Sequence, residues 1–330
     1  MTTVTPQFAS PVDYEAHGVY GPKGMGGADR TFVRPRYPFQ GRVSADGSTG
    51  FRAEPGRYHL YIALGCPWAH RTAIVRRLKK LTDVVSLSVV DDVRDGRGWA
   101  FRAARGPDPV NGFTFLRQAY EATEPGYPGH ISVPVLWDRQ TSRIVSNNFP
   151  DITIDLETQF EEWADRGTDL YPVPLRPQID ELNALIYETV NNAVYRIGNT
   201  AYQEEYDELT GRLFTTFDEL EGRLAGRRFL FGDAITEADV RLWVTLARFD
   251  AAYHGLFKVN LRRLTDYPNL WGYARDLYQR PAFRETTDFG AIKTAYYGGF
   301  ARLNPARIIP AGPDTDWEAP HGRQHPGAFS

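Results

Sequence analysis

The sequence predicts an α/β domain followed by an all-helical domain. A strand–helix–strand pattern begins near residue 57, and apolar residues recur at helical spacing beyond residue 178. A proline-rich stretch at 164–177 lies between the two patterns and predicts a linker. With 330 residues, of which 42% are hydrophobic, the chain is long enough to bury the cores of two domains.

Residues 1–56 predict an extended N-terminal arm that wraps over the first domain, because they are rich in Gly, Pro and Arg and show little periodicity. The glycine-rich run at 21–27 has the composition of a phosphate-binding loop. However, no strand precedes it, and no Lys-Ser or Lys-Thr pair closes it. A flexible turn is therefore the better interpretation.

The first domain, predicted at 57–163, begins with a βαβ unit. Residues 58–64 are apolar and aromatic enough for a buried strand, and residues 67–81 predict a helix with a proline in its first position. Residues 84–90 predict the second strand. The stretch 91–130 that follows has no regular pattern.

A hairpin and a helix are predicted to complete this domain. Residues 131–138 form a predicted strand interrupted by Pro134, which requires a sheet edge, a bulge or a cis bond. The hairpin partner is predicted at 141–146 and a closing helix at 151–163. This order predicts a thioredoxin-like fold, in which a cis-proline faces the catalytic residue and Val133 offers backbone hydrogen bonds to a bound thiol. A local turn is the alternative for Pro134.

The all-helical domain is predicted at 178–303. Two sets of apolar residues have the spacing of amphipathic helices, namely Ile179, Leu182, Ile186, Val190, Ala193 and Ile197, and then Tyr206, Leu209, Leu213, Phe217, Leu220 and Leu224. Thr236 and Asp239 form a predicted capping box, flanked by Ile235 and Val240 as a hydrophobic staple. Residues 304–330 predict a Pro- and Gly-rich tail of uncertain order.

Cys66, the single cysteine of the chain, is predicted to lie at the helix N-cap that follows the first strand. Backbone N–H groups and the helix dipole stabilise a thiolate there, so a depressed pKa is expected, with His70 and Arg71 adding positive potential. Because Ala69 stands where a Cys-x-x-Cys motif has its second cysteine, turnover needs an external thiol. A small buried apolar residue is the alternative interpretation of Cys66.

Composition argues against several other classes. One cysteine allows no intrachain disulfide, the N-terminus lacks an export signal, and no apolar run approaches the ~20 residues of a membrane span, so a cytoplasmic location is expected. The net charge of −3 argues against nucleic-acid binding and favours small-molecule or protein partners. The histidines have no metal-ligand spacing, so no metal is expected.

Several sequence blocks resemble the glutathionyl-hydroquinone reductases, the Xi class of glutathione transferases. The resemblance extends from about Tyr58 to Pro313 and implies a thioredoxin-like domain followed by the helical transferase domain. The blocks are Cys66-Pro67-Trp68-Ala69-His70-Arg71, Gly98-Trp99-Ala100-Phe101, and residues 108–113, 133–138, 144–147, 191–195, 296–297, 304–305 and 308–313.

The resemblance implies roles for individual residues. Cys66 would attack the sulfur of an S-conjugated hydroquinone, releasing the free hydroquinone and leaving a mixed disulfide that a second thiol resolves. Trp99 would pack on the bound thiol. Tyr195 and Tyr296 would reach the aromatic substrate, with Tyr297 a weaker candidate, and core packing is the alternative for each tyrosine. The resemblance also implies a homodimer.

The sequence departs from the family where glutathione would be recognised. His130 replaces an arginine that binds the glycine carboxylate, and Asn148 and Phe149 replace a Glu-Ser pair that holds the γ-glutamyl group. Because charged partners are lost at both ends, a weak grip on glutathione is expected. Mycothiol, a sugar-linked cysteine without a γ-glutamyl zwitterion, is the alternative thiol. Ala295 and Phe300 also replace two family histidines.

Two further functions remain open from the sequence. A glutaredoxin-like deglutathionylase needs only one cysteine, which this chain has. A non-catalytic, transferase-like module that binds hydrophobic ligands or partner proteins is consistent with the changes at His130, Asn148 and Phe149. Intact Cys66, Trp99 and Tyr195 argue against that second possibility.

Overall fold

The structure is a computed structural model that describes residues 32, 34, 36–94, 98–102 and 105–323. The strands are β1 (Val43–Ser44), β2 (Phe51–Arg52), β3 (Tyr58–Ile62), β4 (Ser86–Val89), β5 (Val135–Asp138) and β6 (Arg143–Ser146). The α-helices are α1 (Pro67–Leu78), α2 (Arg117–Thr123), α3 (Phe149–Thr158), α4 (Arg176–Ile186), α5 (Ala193–Asn199), α6 (Gln203–Ala225), α7 (Glu237–Arg248), α8 (His254–Leu256), α9 (Pro268–Tyr278), α10 (Pro281–Arg284) and α11 (Phe289–Gly299). Short 3₁₀ helices lie at Val173–Leu175 and Leu264–Asp266.

A four-stranded sheet organises the first half of the molecule, with the strand order β4-β3-β5-β6. Strand β3 pairs in parallel with β4 and antiparallel with β5, so that Leu60 lies between Leu87 and Leu136. Strand β6 pairs antiparallel with β5. All five residues of β3 are buried. The βαβ unit followed by a hairpin and a helix is the predicted thioredoxin-like order, and the predicted fold class is confirmed.

The element boundaries differ from the prediction around α1 and Pro134. The helix predicted to reach residue 81 ends at Leu78, and Lys80 has a positive φ of 55°, outside the helical region. Pro134 does not interrupt a strand. The Val133–Pro134 bond is cis, and β5 begins only at Val135.

The two helices that flank the β5–β6 hairpin in the chain were predicted less well. Helix α2 lies within the stretch 91–130, for which no regular structure was predicted. It is only seven residues long, too short for periodicity to show. Helix α3 begins at Phe149 and ends at Thr158, whereas 151–163 was predicted. Pro150 accounts for the earlier start, because proline is tolerated in the first turn of a helix.

Two π-helical turns divide the helical half in a way the apolar spacing does not reveal. The apolar series from Ile179 to Ile197 lies on α4 and α5, which are joined by a π-helical turn at Tyr187–Asn191. A second one at Phe249–Tyr253 follows α7. Because such a turn inserts an extra residue, it redirects the side chains that follow it.

Helix α7 connects the two halves. It begins with the predicted capping box, in which the N–H of Thr236 donates to Asp239 Oδ2 at 2.7 Å. Helix α1 packs against α3 on one side and against α7 on another. The helix that follows Cys66 is therefore held between the sheet domain and the helical half. No helix within the described ranges is both long and apolar enough to cross a bilayer.

The described part of the N-terminal arm contacts both halves of the molecule. The N–H of Gly41 donates to the carbonyl oxygen of Val145 at 2.9 Å, along the sheet edge. Further toward the N-terminus, Arg34 Nε donates to Asn192 Oδ1 of the helical half at 3.2 Å. The arm thus extends beyond the first domain that it was predicted to cover. The glycine-rich run at 21–27 lies outside the described residues.

The C-terminal segment folds back on the helical half as far as residue 323. The ring of Trp317 lies 4.7 Å from that of Trp271 and 5.5 Å from that of Trp243. Arg323 is buried, and its Nη2 donates to the carbonyl oxygen of Leu224 at 2.8 Å. The expectation of an uncertain tail is therefore wrong for residues 304–323, because aromatic packing and hydrogen bonds anchor them.

Candidate active site

Cys66 occupies the N-cap of α1, as predicted. Its φ and ψ of −80° and 118° are extended, and Pro67 takes the first helical position, where a missing N–H costs no helical hydrogen bond. The Sγ atom lies 3.6 Å from the carbonyl oxygen of Val133, the residue before the cis-proline. The predicted opposition of the cysteine and a cis-proline is therefore present.

The expected depression of the Cys66 pKa is wrong for this structure. Burial raises the pKa of the thiol, because a low-dielectric surrounding disfavours the charged thiolate. The backbone N–H of Ala69, the charge of Arg248, the N–H of Trp68 and the charge of Arg34 act in the opposite direction. These groups oppose the effect of burial without outweighing it.

His70 does not supply the predicted positive potential, and Arg71 is not among the groups that act most strongly on the Cys66 pKa. Burial, together with the nearby Arg248 charge, lowers the pKa of His70 well below its ordinary value, so the imidazole is neutral. Arg71 is buried, and its Nη2 donates to Asn191 Oδ1 at 2.7 Å. Its role in the structure is to tie α1 to the helical half.

Arg248, which the sequence analysis missed, fixes the loop before Cys66. Its Nε donates to the carbonyl oxygen of Gly65 at 3.0 Å and its Nη2 to that of Leu64 at 2.9 Å. The side chain is fully buried at the end of α7. The sequence did contain a signal for this role, since Arg248 stands between apolar residues at the end of a largely apolar helix. A charge buried in such a place requires hydrogen-bond partners.

Gly65 lies directly against α11. A Cβ atom built on this residue would be 2.2 Å from the Cβ of Ala295, closer than two carbon atoms can approach. The absence of a side chain at position 65 therefore allows the cysteine loop and α11 to meet. Through this contact, α11 brings its tyrosine toward the same cavity as Cys66.

Three tyrosine hydroxyls from separate helical segments meet in one cluster. The hydroxyls of Tyr195 and Tyr296 are hydrogen-bonded to each other, and that of Tyr253 lies 3.3 Å from the first and 2.8 Å from the second. Burial raises the pKa of Tyr195 and Tyr296 well above the ordinary value, so both are neutral donors. Tyr253 was not predicted, because the second π-helical turn directs it here.

A cavity of about 530 Å³ brings several predicted residues together. It is lined by Cys66, Trp99, His130, Val133, Tyr195 and Tyr296, among others. The indole Nε1 of Trp99 is buried and has no hydrogen-bond partner among the described residues, so its N–H is available to donate a hydrogen bond to a ligand. Burial lowers the pKa of His130 to about 4, with contributions from Arg94 and Arg34. A neutral His130 is a poor substitute for an arginine.

Four predicted residues do not line this cavity: Pro134, Asn148, Phe149 and Tyr297. Asn148 caps α3, and its Nδ2 donates to Asp151 Oδ2 at 2.7 Å. Phe149 is buried with its ring 4.8 Å from that of Trp68. The side chains of this pair are therefore engaged within the protein, and a direct contact with the thiol is not supported by their positions.

Comparison with known proteins is consistent across sequence and structure. Residues 203–276 match the family model "Glutathione S-transferase, C-terminal domain". The glutathionyl-hydroquinone reductase PcpF of Sphingobium chlorophenolicum is 44% identical over 296 residues, which cover 89% of this chain and 92% of that protein. This chain belongs to the glutathionyl-hydroquinone reductase family, the Xi class of glutathione transferases.

Solved structures of the Xi class share the fold of this family member. The glutathione-bound structure of YqjG from Escherichia coli K-12 superposes with a TM-score of 0.84 at 43% identity, covering 86% of this chain and 96% of that one. The Xi glutathione transferase of Phanerochaete chrysosporium gives a TM-score of 0.82 at 41% identity, covering 86% and 98%.

Proposed function

We propose that this reductase-family member reduces S-conjugated hydroquinones through a mixed disulfide on Cys66. The observation that carries the proposal is the shared cavity, which has a cysteine at a helix N-cap and a pair of neutral tyrosine hydroxyls from the helical half in its lining. A thiolate needs an electrophilic sulfur, and phenolic hydroxyls are suited to bind the oxygens of a hydroquinone. PcpF, a reductase by name, supports the same assignment.

The proposed reaction has two half-reactions. In the first, the Cys66 thiolate forms a bond to the sulfur of the conjugate while the carbon–sulfur bond to the ring breaks. The ring gains the electron pair and a proton, so free hydroquinone leaves. In the second, an external thiol attacks the mixed disulfide and restores Cys66. The single cysteine of the chain makes the external thiol necessary.

Two thiols are candidates, and we propose that mycothiol fits better than glutathione. The support is electrostatic: His130 is neutral near pH 7, and Asn148 donates to Asp151 rather than presenting a carboxylate to the cavity. Glutathione has two carboxylates and an ammonium to be matched, whereas mycothiol lacks the γ-glutamyl zwitterion. The glutathione-bound state of YqjG supports glutathione as the alternative for this chain.

The deciding experiment compares kcat/KM for the glutathionyl and mycothiolyl conjugates of one hydroquinone. If one charge-assisted contact worth about 1.5 to 3 kcal/mol is lost at His130, glutathione binding is weakened about tenfold to a hundredfold. The mycothiol conjugate should therefore react with the higher kcat/KM. A wild-type preference for the glutathione conjugate would contradict the mycothiol assignment and leave the reductase activity standing.

Variants that restore the family residues at these positions test the thiol preference directly. His130→Arg, at the one of the three departures that lines the cavity, should shift preference toward glutathione, and Asn148→Glu serves as the matched control because Asn148 does not line the cavity. Phe149→Ser completes the family pattern, but it removes a buried ring and should cost about 3 to 5 kcal/mol of stability, so it is better tested separately. Cys66→Ser is the inactive control, because a serine hydroxyl is not ionised near neutrality.

The competing functions predict other results. A glutaredoxin-like deglutathionylase would reduce glutathionylated protein or peptide disulfides faster than aromatic conjugates. A non-catalytic binding module would hold aromatic ligands without forming any Cys66 adduct, which intact-mass measurement after incubation with oxidised glutathione or oxidised mycothiol would reveal. We further propose a homodimer, on the family resemblance alone, and a cytoplasmic location, on the single cysteine that allows no intrachain disulfide. Light scattering after size exclusion tests the dimer.

A further inference from the structure

Arg34 places a positive charge in the wall of the cavity that also contains Cys66. Its guanidinium carbon lies 4.4 Å from the ring centroid of Trp68 and 5.2 Å from that of Tyr195. Its Nε donates to Asn192 Oδ1 at 3.2 Å. A residue of the N-terminal arm is thus fixed between the helix of the cysteine and a tyrosine of the hydroxyl cluster.

One end of this guanidinium has no acceptor within the part of the chain that the structure describes. Arg34 Nη2 is buried without a hydrogen-bond partner among the described residues. Burying a charged donor without an acceptor costs stability, and a ligand oxygen in the cavity would remove that cost. The free donor is therefore best explained by an anionic or strongly polar group on the substrate.

The other charged groups near the cavity are either engaged or, like Arg36, exposed to solvent. Arg248 donates to the carbonyl oxygens of Gly65, Leu64 and Val244. Arg302 donates to Asn199, and Asp92 accepts from Arg105 at 2.7 Å. The tyrosine hydroxyls carry no charge to offer. Arg34 therefore combines a permanent charge, contact with the aromatic wall, and a buried unused donor.

The proposed chemistry creates a negative charge that such a donor would stabilise. A conjugated hydroquinone can react as its keto tautomer, in which the phenolic proton has moved to the carbon that bears sulfur. When Cys66 Sγ bonds to that sulfur, the carbon–sulfur bond breaks, and its electron pair passes through the ring to the carbonyl oxygen. The product is a phenolate, which takes a proton from solvent to become the hydroquinone. One negative charge has moved from Cys66 to the ring oxygen.

We propose that Arg34 is a catalytic residue whose Nη2 binds the phenolate oxygen released by this step. The assignment rests on the proposed function. It narrows the substrates of the enzyme to thioethers whose ring carries an oxygen that can accept the electron pair of the breaking carbon–sulfur bond. A donor placed where charge develops lowers the barrier, because it binds the transition state more tightly than the neutral ground state. Thioethers of rings without such an oxygen would not react.

The test measures each half-reaction separately in the full-length enzyme. With enzyme in excess, hydroquinone release is timed for the glutathionyl conjugates of methylhydroquinone, hydroquinone and chlorohydroquinone, whose phenol pKa values decrease in that order. Arg34→Gln should slow release about 10- to 100-fold. It should also make the rate depend more steeply on the pKa of the released phenol. Arg34→Lys, which keeps the charge, should recover part of both effects.

Controls separate catalysis from folding. The second half-reaction, in which glutathione resolves a preformed Cys66 mixed disulfide, should slow much less than hydroquinone release in Arg34→Gln, because Arg34 favours the Cys66 thiolate less than Ala69, Arg248 and Trp68 do. Arg52→Gln removes an exposed arginine of the same arm and should leave both half-reactions unchanged. If Arg34→Gln unfolds, the release rate is measured against the phenol pKa in two other variants, Arg34→Lys and Asn192→Ala. The second of these removes the side-chain acceptor that holds the Arg34 guanidinium.

The outcomes are distinguishable. An unchanged dependence on phenol pKa in every Arg34 variant, or an equal loss in both half-reactions, would overturn the catalytic assignment and leave the reductase function intact. A wild-type enzyme that releases no hydroquinone from either the glutathionyl or the mycothiolyl conjugates would instead overturn the proposed function itself.

Discussion

The hydroxyl oxygen of Tyr253 lies 2.8 Å from that of Tyr296, so a residue outside the cavity lining is hydrogen-bonded to one within it. Tyr253 stands on the second π-helical turn and is fully buried. It orients the Tyr296 hydroxyl without being placed to touch a substrate, and we regard it as a positioning residue.

Tyr253→Phe should lower kcat about 3- to 10-fold and leave KM nearly unchanged, because one neutral hydrogen bond contributes about 0.5 to 1.5 kcal/mol. Steady-state kinetics on a glutathionyl-hydroquinone measures the two parameters. Tyr297→Phe serves as the control. It removes the hydroxyl of the residue that follows Tyr296 in the chain, and Tyr297 does not line the cavity. A rise in KM with unchanged kcat would contradict the positioning role.

Alkylation of Cys66 by iodoacetamide should titrate above the ordinary range of a free cysteine in the ligand-free enzyme, because burial raises the pKa of this thiol. Reaction rates measured across mildly acidic to alkaline pH give the midpoint. Arg248→Met should move it higher still, since the charge that favours the thiolate is lost. A midpoint below about 8.5 would show that the helix N-cap outweighs burial.

Gly65→Ala should destabilise the protein by about 1 to 3 kcal/mol through overpacking, because the added methyl group meets the Cβ of Ala295 at 2.2 Å. Adding Ala295→Gly removes that methyl group and should restore part of the loss. Urea unfolding of both single variants and the double variant gives the coupling free energy. Additive losses would mean that the loop and α11 do not press on each other in solution.

Glu157→Gln should change how stability depends on pH. Burial raises the pKa of Glu157 to about 7, despite Lys79 Nζ at 3.3 Å, so the folded state holds this proton more tightly than the unfolded chain does. Stability is therefore lost as pH rises from about 4.5 to 7, by up to about 3 kcal/mol.

The glutamine variant lacks that proton and should not show this loss. The quantity to measure is the difference in unfolding free energy between the two proteins, because the buried neutral histidines titrate alike in both and cancel. A difference that is constant between pH 4 and pH 8 would exclude the raised pKa.

The sequence predicted the order of strands and helices along the first domain, and the N-cap cysteine, because both depend on local signals. Strand patterns, a proline after the cysteine and a proline before β5 are all visible in the chain. Tyr195 and Tyr296 were predicted through the family resemblance. Nothing local to either tyrosine showed that their hydroxyls would be in contact.

What the sequence missed depends on burial and on contacts between distant segments. The sign of the Cys66 pKa shift follows from how deeply the thiol is enclosed, which helix periodicity does not report. Arg248 meets Gly65 across 183 positions of the chain. Phe149 was expected to face the thiol, but its ring instead packs on Trp68, a contact that only the folded chain reveals.

The N-terminal arm has a consequence for the evolution and engineering of this scaffold. Because Arg34 belongs to the arm, the cavity wall is assembled from three parts of the fold, namely the arm, the sheet domain and the helical half, and Arg34 is joined covalently to the other two parts only through residues 36–57. A protease cut in that connection would leave the sheet and the helices covalently whole. Activity should then depend on whether the arm peptide remains bound, and adding a synthetic arm peptide should complement a truncated enzyme.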